Sequence, residues 1–203
     1  MRLLSIILII VAIILSLFGL FYLYMLYMRA LLRQMFKDIL PIIDSSGLDY
    51  WIDYGTLLGF ARNKDIIFGD FDIDICVWNT PSNIDILKTK IYPKIASPYT
   101  FIKEDWSAYR VFRPTPIPFL KAHMDIYLLD KNDSGFVSLD VGNANSGDTI
   151  PSNLLENFTK MNMLGVDVRV PTEYISVLKA RYGNSFMTPS LKCLGFFCIP
   201  QFK

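Results

Sequence analysis

The sequence predicts an α+β domain, with a small mixed sheet and flanking helices, preceded by one transmembrane helix. An apolar run without any charged residue covers residues 3–28. Residues 72–78 and 122–129 largely alternate polar and apolar side chains, which is the period of a β-strand. Between residues 84 and 95, isoleucine and leucine recur at the spacing of one helix face. Strands and helices mixed along one chain are typical of the α+β class.

The apolar run has the length and the flanks of a membrane anchor. Its 26 residues would form a helix about 39 Å long, longer than the ~30 Å hydrocarbon core of a bilayer. Tyrosines near its end, followed by Arg29 and Arg33, suit a membrane–water interface. A cleaved signal peptide is the alternative. We therefore expect an anchor at 1–28, a stem or first helix at 29–47 and a catalytic domain at 48–203.

The charges bear on topology and on partners. Arg29, Arg33 and Lys37 follow the apolar run and Arg2 precedes it, which slightly favours a cytosolic domain in a single-pass protein. Without Arg2, the remaining 19 basic residues balance 19 acidic ones. A neutral domain argues against a nucleic-acid partner, because such partners require a basic surface.

Several elements complete the predicted domain. A strand is expected at 50–53, followed by a turn at Gly55 and one or two helical turns at 56–62. A helix over 84–95 and a short strand over 108–112 come next. Residues 131–150 are rich in Asn, Asp, Ser and Gly and are expected to form a polar loop. A last helix is expected over 173–182, capped by Thr172.

The most informative segment carries three aspartates, Asp70, Asp72 and Asp74. On a strand, Asp72 and Asp74 point to the same face, about 6.5 to 7 Å apart, and their charges repel unless a cation lies between them. Oxygen ligands alone suit Mg²⁺ or Mn²⁺. Asp125 alternates with apolar neighbours on a second strand and would complete a three-carboxylate site if the two strands were adjacent. The alternative is a solvated acidic strand face.

Upstream residues suit a phosphate group. Gly55 followed by Thr56, at a strand-to-helix turn, allows backbone N–H groups to approach phosphate oxygens. Arg62 is a candidate phosphate clamp, since a guanidinium matches two oxygens at once. His123 shares a strand face with Asp125, although a structural role is favoured for it. Arg110 is interpreted as a solvated charge, with a donor-diphosphate contact as the alternative.

These features together form the active-site pattern of the polymerase-β-like nucleotidyltransferase superfamily. A closer resemblance exists to the LicD family, which includes bacterial phosphocholine transferases, fukutin and fukutin-related protein. It is carried by an aromatic strand, a glycine-rich turn, an arginine and an acidic run: Tyr50-Trp51-Ile52, Gly55-Thr56-Leu57-Leu58-Gly59, Arg62 and Asp70-Phe71-Asp72-Ile73-Asp74. Residues 171–189 resemble the ending of the family. Phe68-Gly69 departs from the Trp or Pro that many relatives carry before the acidic run.

The resemblance implies a metal-dependent phosphotransferase. Such an enzyme moves phosphocholine or ribitol phosphate from a CDP-linked donor to a glycan or glycoconjugate acceptor. It implies metal ligands at Asp72, Asp74 and Asp125, with Asp70 as a further acidic neighbour, and it implies Mg²⁺ or Mn²⁺ as the cofactor. It also implies a type II anchor with the domain in the Golgi or ER lumen, whereas the flanking charges favour the cytosol.

Two other functions are compatible with the same residues. A different nucleotidyltransferase would add a nucleoside monophosphate to a small molecule or protein, using the same turn and aspartates. A catalytically inactive, membrane-anchored relative would bind metal without nucleotide. Cys193 and Cys198 could pair in an oxidising lumen or stay as two free thiols.

Overall fold

A computed structural model describes residues 2–103, 108–116, 121–131, 133, 135–139, 150–194 and 197–201. For residues 2, 136, 138, 139, 190–194 and 197–201 it describes the backbone alone. The mixture of helices with a small, mainly antiparallel sheet confirms the predicted α+β class, and a long apolar helix precedes the sheet.

The first helix, α1 (Arg2–Ser45), runs without a break from the apolar run into the domain. Its residues 3–23 are exposed, and the segment is long and apolar enough to cross a membrane. From Met28 to Ile43 one face of the same helix is buried against β2, β5 and β9, defined below. The segment expected as a stem or first helix is therefore a core helix of the domain.

The central sheet contains one parallel strand pair. Its order is β1-β2-β5-β4-β3. In addition, β6 pairs with the last residues of β5, and β7 pairs with β6. Only β2 and β5 run parallel among the described strand pairs. The strands are β1 (Tyr50–Ile52), β2 (Asp72–Trp78), β3 (Thr100–Lys103), β4 (Ala108–Arg113), β5 (Ala122–Lys131), β6 (Phe136–Leu139) and β7 (Ile150–Pro151).

Helices and two hairpins surround this sheet. The hairpins pair β8 (Phe158–Met163) with β9 (Val166–Pro171) and β10 (Ser190–Leu194) with β11 (Phe197–Gln201). The helices after α1 are α2 (Tyr54–Asn63), α3 (Pro81–Ile86) and α4 (Tyr174–Tyr182). A π-helical segment (Leu87–Ile91) and a 3-10 turn (Tyr92–Lys94) extend α3, and a second 3-10 turn covers Ser152–Leu155.

Strand β2, between β1 and β5, packs apolar side chains into the core. Ile73, Ile75 and Val77 are fully buried and alternate with the polar positions of the strand. Trp51 on β1 packs on Trp78 and Phe158, with ring centroids 5.1 and 5.2 Å apart. Ile73, Ile75 and Val77 thus form the apolar face of β2, while the other face carries the aspartates at one end and Trp78 at the other.

The structure corrects three local expectations. Glu173, not Thr172, occupies the N-cap position of α4, where no side-chain cap forms; the Thr172 hydroxyl pairs with that of Thr159 instead. The expected polar loop 131–150 contains β6 and the first residue of β7, and residues 132, 134 and 140–149 lie outside the described part. The helix expected at 84 begins at Pro81, where the Thr80 side chain caps it.

The two C-terminal cysteines lie opposite each other along the backbone. Cys193 is the register partner of Cys198 in the β10–β11 ladder. Their side chains fall outside the described part of the structure, so the expected alternatives of a pair or two thiols both stay predictions.

Candidate active site

The parallel pairing of β2 and β5 gathers acidic side chains at one end of the sheet. In its register, Asp72 lies opposite His123 and Asp74 lies opposite Asp125. Because side chains alternate along a strand, these four residues face the same side of the sheet. The Asp74 and Asp125 residues are buried, whereas the Asp72 side chain retains 32% of its exposure. We call Asp70 and these four residues the acidic cluster.

The turn that begins α2 lies against this cluster. The backbone N–H of Gly55 donates to Asp74 Oδ2 at 3.1 Å, and the Thr56 hydroxyl accepts from the backbone N–H of Asp74 at 2.8 Å. A side chain on Gly55 would meet Asp70 Oδ2 at 2.9 Å. Gly55 and Thr56 therefore tie the turn to the aspartates, and a side chain at position 55 would displace the Asp70 carboxylate.

The crowded carboxylates perturb one another. Burial, followed by the charge of Asp72, raises the pKa of Asp70 to about 8. Burial also raises the pKa of Asp74 well above its ordinary value, with further contributions from Asp72, Asp70 and Asp125, although the N–H of Gly55 lowers it. Like charges held this close favour either protonation or a bound cation.

Three of these side chains are placed to hold a cation. Asp72, His123 and Asp125 each offer one ligand atom, and these atoms all lie within 4.8 Å of one another. The Nε2 atom of His123 is 3.8 Å from Asp72 Oδ2 and 3.8 Å from Asp125 Oδ2. Two carboxylates and an imidazole are a donor set that fits a divalent cation.

His123 was favoured as a structural residue in the sequence, and the structure places it within the acidic cluster. The sequence signal for this position is that His123 stands two residues before Asp125 on the same strand, so that both side chains face the same side. This spacing indicates a role in the site only together with the β2–β5 register, which places Asp72 opposite His123.

Arg110 also belongs to this site and is not the solvated charge that was expected. It is the register partner of Asp125 on β4, and its Nε donates to Asp125 Oδ1 while its Nη2 donates to Oδ2 at 2.8 Å. The Tyr127 hydroxyl donates to the same Oδ2 at 3.1 Å. Asp125 is thus held in one orientation and its charge is partly balanced by a guanidinium.

Arg62 lies at the far end of α2, six residues beyond Thr56, which is about 9 Å along the helix axis. Its Nε donates to the backbone carbonyl of Phe186 at 2.9 Å, and its Nη2 donates to the same oxygen. In this arrangement Arg62 ties α2 to the segment after α4. Its assignment as a phosphate clamp stays a prediction.

A buried ion pair between Asp53 and Arg181 holds the turn at the start of α2. Asp53 is the N-cap of α2, where it accepts from Tyr54 N at 2.8 Å and from Trp51 Nε1 at 3.0 Å. Arg181 on α4 donates to both oxygens of Asp53 at 2.7 and 2.8 Å, and its guanidinium lies 3.8 Å from the centroid of the Tyr54 ring. The side chains of Arg181 and Asp53 retain only 2% and 0% exposure. Sequence reasoning missed this pair.

Comparison with known proteins identifies the kind of domain that carries this site. The profile of the family described as "LicD/FKTN/FKRP, nucleotidyltransferase domain" matches residues 47–173. This stretch includes α2, β2 and β5, and with them every member of the acidic cluster. The match accords with the fold class predicted from the sequence.

Individual relatives are more distant. The chain is 23% identical over 154 residues to "Ribitol 5-phosphate transferase FKRP" of Homo sapiens and equally to that of Mus musculus, covering 75% of this chain and 31% of each relative. It is 30% identical over 107 residues to the uncharacterized protein RP689 of Rickettsia prowazekii (strain Madrid E), covering 52% of this chain and 36% of the relative. The chain thus spans about a third of the length of these relatives.

Among solved structures, the lincosamide antibiotic adenylyltransferase LnuA, determined with lincomycin bound, aligns with 72% of this chain and 94% of its own. The TM-score is 0.39 and the sequence identity is 15%.

Proposed function

Because the chain belongs to the LicD/FKTN/FKRP family, we propose that it is a metal-dependent transferase moving a phosphorylated alcohol from a CDP-linked donor to a glycan hydroxyl. The transferase class follows from the family and from the relatives named ribitol 5-phosphate transferase. The CDP-linked donor, the glycan acceptor and the metal are the proposed part. The acidic cluster on β2 and β5 is the observation that carries it.

The proposed reaction is a displacement at phosphorus. The acceptor hydroxyl oxygen forms a bond to the β-phosphorus of the donor, the bond from that phosphorus to the bridging oxygen breaks, and CMP leaves with the bridging oxygen. The hydroxyl proton passes to a carboxylate of the acidic cluster, for which Asp125 is proposed. Positioning of both substrates would supply most of the rate.

Asp72, His123 and Asp125 would hold the divalent cation, with Asp74 and Asp70 beside them. When bound, the cation would neutralise charge on the transferring phosphate. An imidazole nitrogen suits transition metals and carboxylates suit Mg²⁺ or Mn²⁺, so that the mixed donor set favours Mn²⁺. Arg110 keeps Asp125 oriented and adds a fixed positive charge next to the site.

We further propose that residues 3–23 of α1 anchor the protein in a membrane, with the domain in the Golgi or ER lumen. Exposed apolar side chains along this whole segment support the anchor. The lumenal side rests on the family resemblance, while the flanking charges favour the cytosol. Protease protection in sealed microsomes distinguishes the two orientations, since only a cytosolic domain is digested before detergent is added.

The direct test is CMP release. The full chain in detergent is incubated with CDP-choline or CDP-ribitol, Mn²⁺ or Mg²⁺ and a panel of glycans. We expect release with one donor, loss to background in Asp72→Asn, and no change in Asp85→Asn, a matched substitution at an exposed position on α3.

Other outcomes would overturn the proposal. Unchanged CMP release in Asp72→Asn would show that the acidic cluster is not the site. Release of pyrophosphate, with the nucleotide retained on the acceptor, would indicate a nucleotidyltransferase instead. Titration with Mn²⁺ followed by electron paramagnetic resonance measures metal binding separately, and binding of metal without any affinity for either donor would indicate an inactive relative.

A further inference from the structure

The exposed part of α1 matches a bilayer in length. Residues 3–23 are all exposed, and 21 residues of helix rise about 31 Å, close to the ~30 Å hydrocarbon core. From Tyr24 and Met25 onward one face of the helix is covered by the domain, while Leu26 and Tyr27 stay exposed. The boundary between lipid and water should therefore lie near Tyr22 and Tyr24, and whatever part of the domain touches the helix there lies at the membrane surface.

The loop between α2 and β2, residues 64–71, is called here the α2–β2 loop, and it reaches this boundary. The segment after β4 reaches it too, since the Thr115 side chain lies next to Tyr24. Arg33 Nε donates to Asp65 Oδ1 at 2.8 Å, and Arg29 Nε donates to the Ile66 carbonyl at 2.8 Å. Further along, the Phe68 ring lies 5.4 Å from the Tyr22 ring. The loop thus follows α1 from Arg33 back to Tyr22, a distance of about 16 Å along the helix axis.

The chemistry of these contacts suits a lipid–water interface. Tyr22 and Phe68 are aromatic and only partly covered, as are the aromatic residues that concentrate at membrane surfaces. Arg29 and Arg33 share the single carboxylate of Asp65, which leaves one net positive charge about 8 to 16 Å along the helix from the boundary. A positive charge in this position favours anionic lipid head groups.

The acidic cluster begins within this loop, at Asp70, and continues on β2. Asp70 comes two residues after Phe68 and Asp72 four residues after it, so that an extended chain separates them by at most about 7 and 14 Å. The helix carries the domain without a flexible linker, because one face of α1 is buried from Met28 to Ile43. A boundary fixed at Phe68 therefore fixes the height of the cluster as well.

We propose that the α2–β2 loop is a membrane-contacting surface whose partner is the phospholipid bilayer, with Phe68 and Tyr22 lying among the lipid head groups. Asp70 and Asp72, the members of the acidic cluster nearest to Phe68 along the chain, are thereby held within about 15 Å of the head groups around Phe68. This inference rests on the anchor assigned under the proposed function, but not on the reaction assigned there.

Depth measured with a fluorescent label tests this proposal without an enzyme assay. Cysteine replaces Phe68, Phe18 or Asp130 in the full chain bearing Cys193→Ser and Cys198→Ser, and each variant is labelled with NBD in nanodiscs containing anionic lipid. The parent without an introduced cysteine, treated with the same NBD reagent, checks that the buried Cys76 does not react. Asp130 is the control, since it is exposed near the opposite end of β5 from His123.

We expect head-group nitroxide lipids to quench the label at Phe68 several-fold more than the label at Asp130, and acyl-chain nitroxides to quench the label at Phe18. Equal quenching at Phe68 and Asp130 overturns the proposal. Absence of quenching at all three positions overturns it too, because the anchor is then wrong. A second variant, Phe68→Trp, retains an aromatic ring and serves if the cysteine variant does not fold. It reports depth by the lipid quenching of its fluorescence in excess of that of the wild type, which already contains three tryptophans.

If quenching occurs at Phe68 but no CMP is released with any donor, the membrane-contacting role of the α2–β2 loop is supported and the proposed reaction is wrong. If CMP is released but the label at position 68 is not quenched, the proposed reaction is supported and the membrane-contacting role of the α2–β2 loop is wrong.

Discussion

Replacing Arg181 by methionine should destabilise the protein more than almost any other single change near the site. The substitution keeps an unbranched side chain of similar length but removes both hydrogen bonds to Asp53. It leaves Asp53 fully buried, with Tyr54 N and Trp51 Nε1 still donating to it but without a compensating charge.

The expected size of the effect follows from that burial. Breaking a buried ion pair by removing one partner costs about 3–5 kcal/mol, because the remaining charge is left uncompensated. The guanidinium also lies 3.8 Å from the Tyr54 ring centroid, and this cation–π contact is lost as well. For a chain of this size, about 3–5 kcal/mol corresponds to a fall in Tm of roughly 6–20 °C.

Thermal and urea unfolding of the full chain in detergent, followed by circular dichroism, measures the change. Lys179→Met, at an exposed position on the same helix, is the matched control and should leave the Tm unchanged. The double variant Asp53→Asn/Arg181→Met should be more stable than the sum of the single effects predicts, by at least about 1 kcal/mol, since no buried charge is left alone.

The reasoning fails if the free energy of unfolding of Arg181→Met lies within about 1 kcal/mol of that of the wild type, since removing one partner of a buried ion pair should cost more. It also fails if the two substitutions are additive, because the pair would then not act as a unit.

Three further changes address the turn and the loop beside the acidic cluster. Gly59→Ala should lower stability by about 1–3 kcal/mol in urea unfolding, because the added Cβ would lie 2.3 Å from the backbone oxygen of Asp65. Thr56→Val should cost about 1–3 kcal/mol, because the buried N–H of Asp74 loses its acceptor. Burial raises the pKa of Asp65, but hydrogen bonds led by that of Arg33 outweigh it, and the net pKa lies below the ordinary value. Its stabilisation is therefore full above about pH 4 and is lost as the pH falls through the lowered pKa, so that acid unfolding should be less steep in Asp65→Asn.

Two of these changes have a control variant, and the third has an outcome that would contradict it. Gly19→Ala should be neutral, because nothing lies within 4 Å of the added Cβ. Thr56→Ser keeps the hydroxyl and should retain most of the stability that Thr56→Val loses. An acid-unfolding curve of Asp65→Asn identical in slope to that of the wild type would contradict the assignment of a lowered pKa to Asp65.

The sequence predicted those parts of the site that depend on neighbours along the chain. The shared face of Asp72 and Asp74 follows from strand alternation, and the turn at Gly55 follows from a glycine between a strand and a helix. The placement of Asp125 depended on which strands are adjacent, and here β5 is parallel to β2. Alternation is a local property, whereas strand adjacency is not.

The missed residues are those whose partners are distant in sequence. Arg110 looked like a surface charge because its partner Asp125 is reached only through the β4–β5 register. The β8–β9 hairpin was also missed: it turns at Leu164 and Gly165, both with positive φ, and leucine is rare in that conformation. The usual hairpin pairs, Asn-Gly or Asp-Gly, are absent from this turn.

The distance along the chain between Asp53 and Arg181 has a consequence for biosynthesis. The two residues are 128 positions apart, and Arg62 is separated from Phe186 by 124. At about 5–20 residues per second, a ribosome needs roughly 6–26 s to add that much chain. During this interval α1 and the strand–turn–helix unit carrying Asp53 already exist, but the arginine that neutralises Asp53 does not. The nascent domain must therefore wait for its last helix before the turn beside the aspartates can close, and a ribosome that stalled before Arg181 would leave that turn unsupported.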